Sequence, residues 1–453
     1  MNIKSALVIG MGESGKEAAI LLKERGANVV LGEIKNDCEI EKEAKKLRKK
    51  GIQVVLGPHP LSLLKDKEIV VVSPGVPLEI PLIREARQKG IPVIGELELA
   101  YRYLRNQTVI AITGTNGKST TVMLVAEILS RAGFKVKVAG NIGIPLSQIA
   151  REPSPIIVVE VSSFQLESVE QFSPHIFSLL NITPDHLDRH CSFNRYIEVK
   201  SNLLRKLKVN DFAILNKDDE IIYPLAKKTK AKVIFFSERE KLRKGVFLEG
   251  NEIVANIEDK FAISTDNLPL THFHSWENVL CSVAISSVCK VKEEAIRQAL
   301  FNFKGLAHRQ EQAGEIKGVN FVDDSKATNV GAVLKCLDLF EKPIILIMGG
   351  RDKGGDFSKL KMKIKKKVKL IILFGETKGK IKGQLSGVEN LMEVDSIKEA
   401  VRVGFKMAKK GDSVLLSPGC SSFDQFKNYR ERGNVFKEEV KKLKEEVEKK
   451  VIF

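Results

Sequence analysis

The chemistry-bearing residues of this chain begin with TGTNGKST, residues 113–120, which leaves an apolar run and enters a helix-like stretch. Gly114 and Gly117 let backbone amides curl around phosphate oxygens, and the helix start adds the positive end of a dipole. Lys118 is spaced to reach the outer phosphates of a nucleotide, and Ser119 to offer its hydroxyl to Mg²⁺. The loop is shorter than the common GxxxxGK[ST], because Ile112 stands where that pattern has its first glycine. Its emergence straight from an apolar strand favours ATP over an ordinary turn.

Three further residues call for a task. Glu160 lies in IIVVEVSS, a run expected to be a buried strand, so its carboxylate must either pair or bind metal. His186 and Asp188 follow the apolar run IFSLLN in NITPDHLDRH and fall in a loop at the same sheet edge. A zinc cluster at HLDRHC finds no second ligand pair at finger spacing. Lys200 lies in SFNRYIEVKSNLLRKL, read as a helix capped by Ser192. Its apolar stripe is Phe193, Tyr196, Ile197, Leu203, Leu204 and Leu207, and Lys200 sits on that stripe. A lysine there needs a partner or a function, unless its ammonium snorkels to water.

The N-terminus carries a second nucleotide signal. SALVIGMGESG is a strand-like run followed by Gly10-x-Gly12-x-x-Gly15, with Glu33 at the end of the next apolar run. Alone, that pattern favours NAD or FAD.

The elements that must position these residues are strands and helices in alternation. Val- and Ile-rich runs such as IVVVSPG, VIAITG, PIILIMGG, LIILFG and SVLLSPG alternate with amphipathic stretches and end in Gly, Ser or Pro-Gly. This predicts an α/β chain with largely parallel sheets, whose ligands sit beyond the carboxyl ends of the strands. A length of 453 residues exceeds one ordinary core. Three units are expected: residues 1–96, a Rossmann-like unit; residues 97–305, a P-loop ATPase unit with a mostly parallel sheet; and residues 306–453, a second Rossmann-like α/β unit. Residues 237–273 read as a β-rich excursion of the middle unit.

With 74 Lys and Arg against 57 Asp and Glu, the net charge is +17. That favours polyanions, and phosphorylated small substrates fit it as well as nucleic acid does. The lysine-rich stretches lack interleaved aromatics, so no nucleic-acid platform is expected. No apolar run of about 18 residues predicts a membrane span, and no signal-peptide pattern opens the chain. Six scattered cysteines without a CxxC predict free thiols and a cytoplasmic setting.

TGTNGKSTT, EVSSFQLE, NITPDHLDRH, HSWEN, AHRQE, DDSKATN and SPGCSSFDQFKNYRERG, in this order, resemble the Mur ligases of peptidoglycan synthesis essentially end to end. The resemblance implies ATP-driven amide formation. A substrate carboxylate attacks the γ-phosphate and becomes an acyl phosphate, and an amine then displaces phosphate through a tetrahedral intermediate. The C-terminal motif, with SPGVP at 73–77 and GNIG at 140–143, implies UDP-N-acetylmuramoyl-L-alanine as the carboxylate and D-glutamate as the amine.

Carried over by position, the resemblance implies ATP contacts from Gly114, Thr115, Asn116, Gly117, Lys118, Ser119, Thr120, Asn278, Arg309, Asp324 and Lys326. Gly12, Ser14, Glu33, Ser73, Gly75, Asn141, Ser162, Gln165 and His186 would hold the UDP substrate, so the opening glycine turn binds uridine diphosphate and not NAD. Thr328, Lys353, Ser422, Phe423 and Tyr429 would hold D-glutamate. Lys118, Glu160, His186 and Lys200 would be catalytic. Mg²⁺ would be held by Ser119, Glu160, His186 and Lys200, the last carbamylated by CO₂. Domain closure around the substrates and a monomeric state are also implied. Ser275 stands where the family commonly has Asn, and Tyr429 where Phe is common; Arg351-Asp352 occupy a variable spot. The rival readings are a sister ligase with another acceptor, an NAD oxidoreductase fused to an ATPase, and an ATP-gated nucleic-acid-binding module. The last motif, the absence of a catalytic pair in residues 1–96, and the ordered motif set argue against them in turn.

Overall fold

In the computed structural model, which describes residues 2–266, 268, 275–341 and 343–449, three sheets follow one another along the chain. The first contains β1 (Ser5–Ile9), β2 (Asn28–Glu33), β3 (Gln53–Leu56), β4 (Ile69–Val72) and β5 (Val93–Gly95). All are parallel, in the order β3-β2-β1-β4-β5. The strand order reverses between β1 and β4, and a ligand crevice opens at such a reversal. The turn after β1 and Ser73 after β4 flank it.

The second sheet contains β6 (Thr108–Thr113), β7 (Val136–Gly140), β8 (Ile156–Glu160), β9 (Ile176–Leu179), β10 (Phe212–Asn216), β11 (Lys232–Ser237), β12 (Gly245–Glu249), β13 (Glu252–Asn256) and β14 (Lys260–Ser264). Among the described residues its order is β14-β13-β12-β11-β10-β9-β6-β8-β7. Only the β12–β13 and β13–β14 pairings are antiparallel, so the excursion expected near 237–273 extends the edge of this sheet. β6 lies between β8 and β9. The phosphate loop, Glu160 and the His186 loop therefore leave three adjacent strand ends.

The third sheet contains β15 (Glu311–Ile316), β16 (Val319–Asp323), β17 (Ile344–Gly349), β18 (Val368–Phe374), β19 (Leu391–Glu393) and β20 (Ser413–Leu416), in the order β15-β16-β20-β17-β18-β19. It is parallel apart from β15. Adjacent β16, β20 and β17 release the Asp324–Thr328, Ser417–Ser422 and Gly350–Lys353 loops at one edge.

The strands are buried on both faces because parallel sheets carry helices on both sides; β8 and β17 are buried at every position. One hydrophobic cluster joins the first two sheets through Leu21, Leu22, Ala100, Leu146 and Ile149. The third sheet packs into clusters of its own, and none of them reaches back across residue 310. It is a separately packed body tied to the rest by other means.

Candidate active site

The phosphate loop is shaped by two glycines with positive φ, Gly114 at 156° and Gly117 at 84°. Gly117 directly precedes the helix Lys118–Arg131. Lys118 folds over the loop and donates to the carbonyls of Gly114 and Thr115, both at 2.8 Å. Burial pulls its ammonium down to about 8. Asn181, just after β9, accepts the Asn116 amide at 2.8 Å and fixes the loop from its other side.

Glu160, at the end of β8, is 1 % exposed. Its Oε1 accepts from Asn141 at 2.7 Å, while its Oε2 is buried without a partner. A carboxylate oxygen buried without a partner calls for a cation. Ser119 and His186 line the same cavity. His186 sits at a φ of 54° with its ring edge-on to Phe164, and burial lowers its pKa to about 4. It is therefore a neutral imidazole with a lone pair to give. One unpartnered carboxylate oxygen, a hydroxyl and a neutral imidazole make an oxygen-rich donor set that fits Mg²⁺.

Lys200 is 1 % exposed, on the helix Phe193–Ser201 that Ser192 caps through the Arg195 amide. The helix ends there and continues as a 3₁₀ turn, Asn202–Arg205, so the expected single helix is shorter than its apolar stripe. The ammonium does not snorkel. It donates to Gly114 O at 2.8 Å and lies over the Tyr196 ring. Burial, and then repulsion from Lys118, push its pKa well below the ordinary lysine value.

The third sheet supplies the far wall. Arg309 reaches across to donate to Ser119 Oγ at 3.0 Å. Asp324 accepts from Ser417 at 3.1 Å, and burial raises its pKa to about 7. Lys326 lies 4.0 Å above the Tyr429 ring, and burial lowers it to about 8. Lys353 pairs with Asp185 at 3.0 Å.

Together these residues line a cleft of about 400 Å³ that also includes Thr115, Asn116, Gly117, Ser162, Asn278, Thr328, Ser422, Phe423 and Tyr429. Two of the residues expected to contact ATP do not line it. Gly114 contributes its carbonyl to the two lysines, and the Thr120 hydroxyl is buried without a partner. The motif HSWEN begins at His274, outside the described residues.

A second cavity, about 810 Å³, lies at the first sheet's crevice and is lined by Gly12, Ser14, Glu33, Ser73, Gly75, Asn141 and Gln165. Its floor is the glycine turn. A Cβ on Gly15 would overlap the Gly10 carbonyl oxygen, so only glycine lets helix and strand meet there. Glu33 does more than face the cavity: it accepts the Met11 amide at 2.7 Å and braces the turn. Of the residues expected to hold the UDP substrate, Ser162 and His186 line the first cavity instead. Asn141 lines both, and its amide is the one bonded to Glu160.

Two residues that the sequence reading passed over hold the centre together. Asp185 accepts from Lys353 and, at 2.9 Å, from Asn329, whose own Oδ1 caps the helix Val330–Asp338. Burial opposes its charge, but Lys353 first and then His186 and Asn329 outweigh that and hold it at about 2. The signal was present: Asp185 precedes His186, and Asn329 follows Thr328.

Residues 4–95 match the family model of the Mur ligase MurD-like N-terminal domain, residues 112–286 the Mur ligase middle domain, and residues 308–420 the Mur ligase glutamate ligase domain. A UDP-N-acetylmuramoylalanine--D-glutamate ligase of Clostridioides difficile is 41% identical over 447 residues, covering 97% of this chain and 99% of that one. Another ligase of that description, from Caldicellulosiruptor saccharolyticus, is 42% identical over 448 residues, covering 97% and 99%. Among solved structures, a pseudomurein peptide ligase type C from Methanothermus fervidus superposes with a TM-score of 0.62 at 21% identity, covering 97% of this chain and all of that one. At that identity the likeness is one of fold.

Proposed function

The chain belongs to the Mur ligase family, and from that premise we propose that it joins D-glutamate to UDP-N-acetylmuramoyl-L-alanine at the expense of ATP. The observation that carries the site assignment is the Glu160 carboxylate, buried with one oxygen unpartnered in a cavity that collects Lys118, Ser119 and Lys200 from the second sheet and Lys353 and Ser422 from the third.

The proposed division of labour follows the sheets. Residues 1–96 hold the uridine diphosphate end at the glycine turn, where helix-terminal amides face the pyrophosphate. Residues 97–305 hold the ATP phosphates on the loop amides and Lys118. Residues 306–453 bring Arg309, Asp324 and Lys326 to the nucleotide, and Thr328, Lys353, Ser422, Phe423 and Tyr429 to the amino acid. The carboxylate of the substrate lies between the Glu160 and Lys118 side of the cleft and the γ-phosphate. Lys118 and Arg309 offset the charge that develops on the transferred phosphoryl group, and the closed wall of the third sheet keeps water from the acyl phosphate. The amine of D-glutamate then attacks the acyl carbon, and phosphate leaves. Ser119, Glu160, His186 and a carbamylated Lys200 would hold Mg²⁺, which when bound would supply charge neutralisation at the phosphates. Lys200 fits this set as a carbamate: burial and the neighbouring Lys118 disfavour its charged form, and the uncharged amine is the form that can add to CO₂ with loss of one proton. A monomer acting in the cytoplasm completes the reading; among the described residues no helix is long and apolar enough to cross a membrane.

Phosphate release with ATP, Mg²⁺ and UDP-N-acetylmuramoyl-L-alanine, measured across a panel of D- and L-amino acids, tests the proposal. Release with D-glutamate alone supports it. Release with a different amino acid keeps the ligase chemistry and overturns the acceptor assignment. No release from folded protein that binds ATP overturns both.

A further inference from the structure

The Lys353–Asp185 ion pair joins opposite charges from different sheets in the cleft, with both partners largely out of water. The two side chains are 17 % and 7 % exposed, and Nζ lies 3.0 Å from Oδ1. We propose that this pair is the receptor for both charges of the acceptor amino acid, with Lys353 taking a carboxylate and Asp185 taking the ammonium. The inference rests on the ligase reading above and adds to it a binding residue, Asp185, on the central unit.

A buried ion that loses its partner is strongly disfavoured. A simple anion could draw Lys353 away, but it would leave Asp185 uncompensated, and a simple cation would do the converse. A zwitterion replaces both partners at once. It can open the pair at little electrostatic cost.

Asp185 is also built to stay in place while Lys353 moves. Its Oδ2 accepts from Asn329 at 2.9 Å, and its Oδ1 accepts the His186 amide at 2.9 Å. Both bonds remain when the lysine leaves. Lys353, by contrast, has Asp185 as its only hydrogen-bond partner among the described residues, and it hangs by a flexible stem from the loop after β17.

The position suits the task. Asp185 lies on the loop after β9, next to β6 and its phosphate loop. An ammonium held there faces the side of the cleft where Lys118 and Glu160 stand. Thr328 and Ser422 line the same cleft and offer neutral donors to a second carboxylate. The arrangement therefore selects an amino acid that carries an extra acid group.

The test compares D-glutamate with glutarate, which keeps both carboxylates and lacks the amine. In Asp185→Asn, made in the full chain and shown by its melting transition to be folded, the KM for D-glutamate should rise on the order of tenfold to a hundredfold. Inhibition by glutarate should be unchanged or tighter, because Lys353 is no longer claimed by a carboxylate. The KM for ATP should stay as it is. Lys353→Ala should weaken D-glutamate and glutarate alike. An unchanged KM for D-glutamate in Asp185→Asn, or equal weakening of D-glutamate and glutarate, would overturn the proposal and leave Asp185 a purely structural tie. If the wild type uses a different acceptor, the function reading fails separately, and the same comparison is made with that amino acid and its amine-free analogue.

Discussion

Lys118 and Lys200 donate to one and the same backbone oxygen, that of Gly114, each at 2.8 Å. Neither makes an ion pair among the described residues, and burial disfavours charge on both. Two ammonium groups crowded onto a single carbonyl repel, and a carbamate on Lys200 would turn that repulsion into attraction. We expect Lys200→Ala to lose phosphate release on the order of a hundredfold or more. Bicarbonate should not restore it, whereas short carboxylates should restore it in part. Near-wild-type activity in this variant would end the role assigned to Lys200.

The lone oxygen of Glu160 makes a distinct prediction. Glu160→Gln preserves an acceptor for Asn141 but removes the charge. The Mg²⁺ concentration for half-maximal phosphate release should rise on the order of tenfold to a hundredfold. A Mg²⁺ titration identical to that of the wild type would remove Glu160 from the metal set.

Glycine substitutions should separate the two cavities. A Cβ on Gly15 overlaps the Gly10 carbonyl oxygen, and one on Gly117 overlaps the Asn278 side chain in a left-handed turn. Gly15→Ala should raise the KM of the UDP substrate and leave that of ATP alone; Gly117→Ala should do the reverse. Each should also lower stability by about 1–3 kcal/mol, as overpacking does. Steady-state kinetics in both substrates, together with denaturant melts, would read the split. Equal effects of either variant on both substrates would mean that the cavities are not independent.

Glu96 gives the protein a pH-sensitive seam between its first two units. It is 1 % exposed, takes the Ser147 amide at 2.6 Å on Oε1, and has no partner for Oε2. Burial raises its pKa to about 7, against an ordinary 4.5. The folded state therefore holds a proton that the unfolded chain releases. Its contribution is complete below pH 4.5 and falls as pH rises towards 7, by roughly 3 kcal/mol. Glu96→Gln should flatten that decline and be more stable than the wild type at pH 8. A variant that tracks the wild-type stability curve across this range would refute the account.

What could be read in the sequence was whatever is local. Strand runs ending in glycine and the GKST loop are short-range patterns, and Lys200 was noticeable because helical spacing put a cation on an apolar stripe. The three sheets and the crowding of Lys118, Glu160, His186 and Lys200 into one cleft follow from adjacent strand ends. What escaped was pairing at long range. Asp185 and Lys353 are 168 residues apart, and nothing in either neighbourhood announces the other. The fingerprint glutamate read as a ligand contact, yet Glu33 also braces the turn that presents the amides, because a carboxylate at that strand end can bond the backbone it faces. The helix bearing Lys200 tightened into a 3₁₀ turn that apolar periodicity alone does not signal.

The third sheet has its own hydrophobic clusters, and among the described residues a set of polar ties reaches from it to the second unit: Arg309 on Ser119, Asn329 on Asp185 and Asn116, Lys353 on Asp185, and Lys335 on Glu277. Oily contacts would make closure insensitive to the medium. Charged ones put it under the control of dissolved ions, so salt becomes a dial on how long the clamp stays shut. In dilute buffer the jaws should rest together even without cargo, and in brine they should need their anionic guests to bring them home.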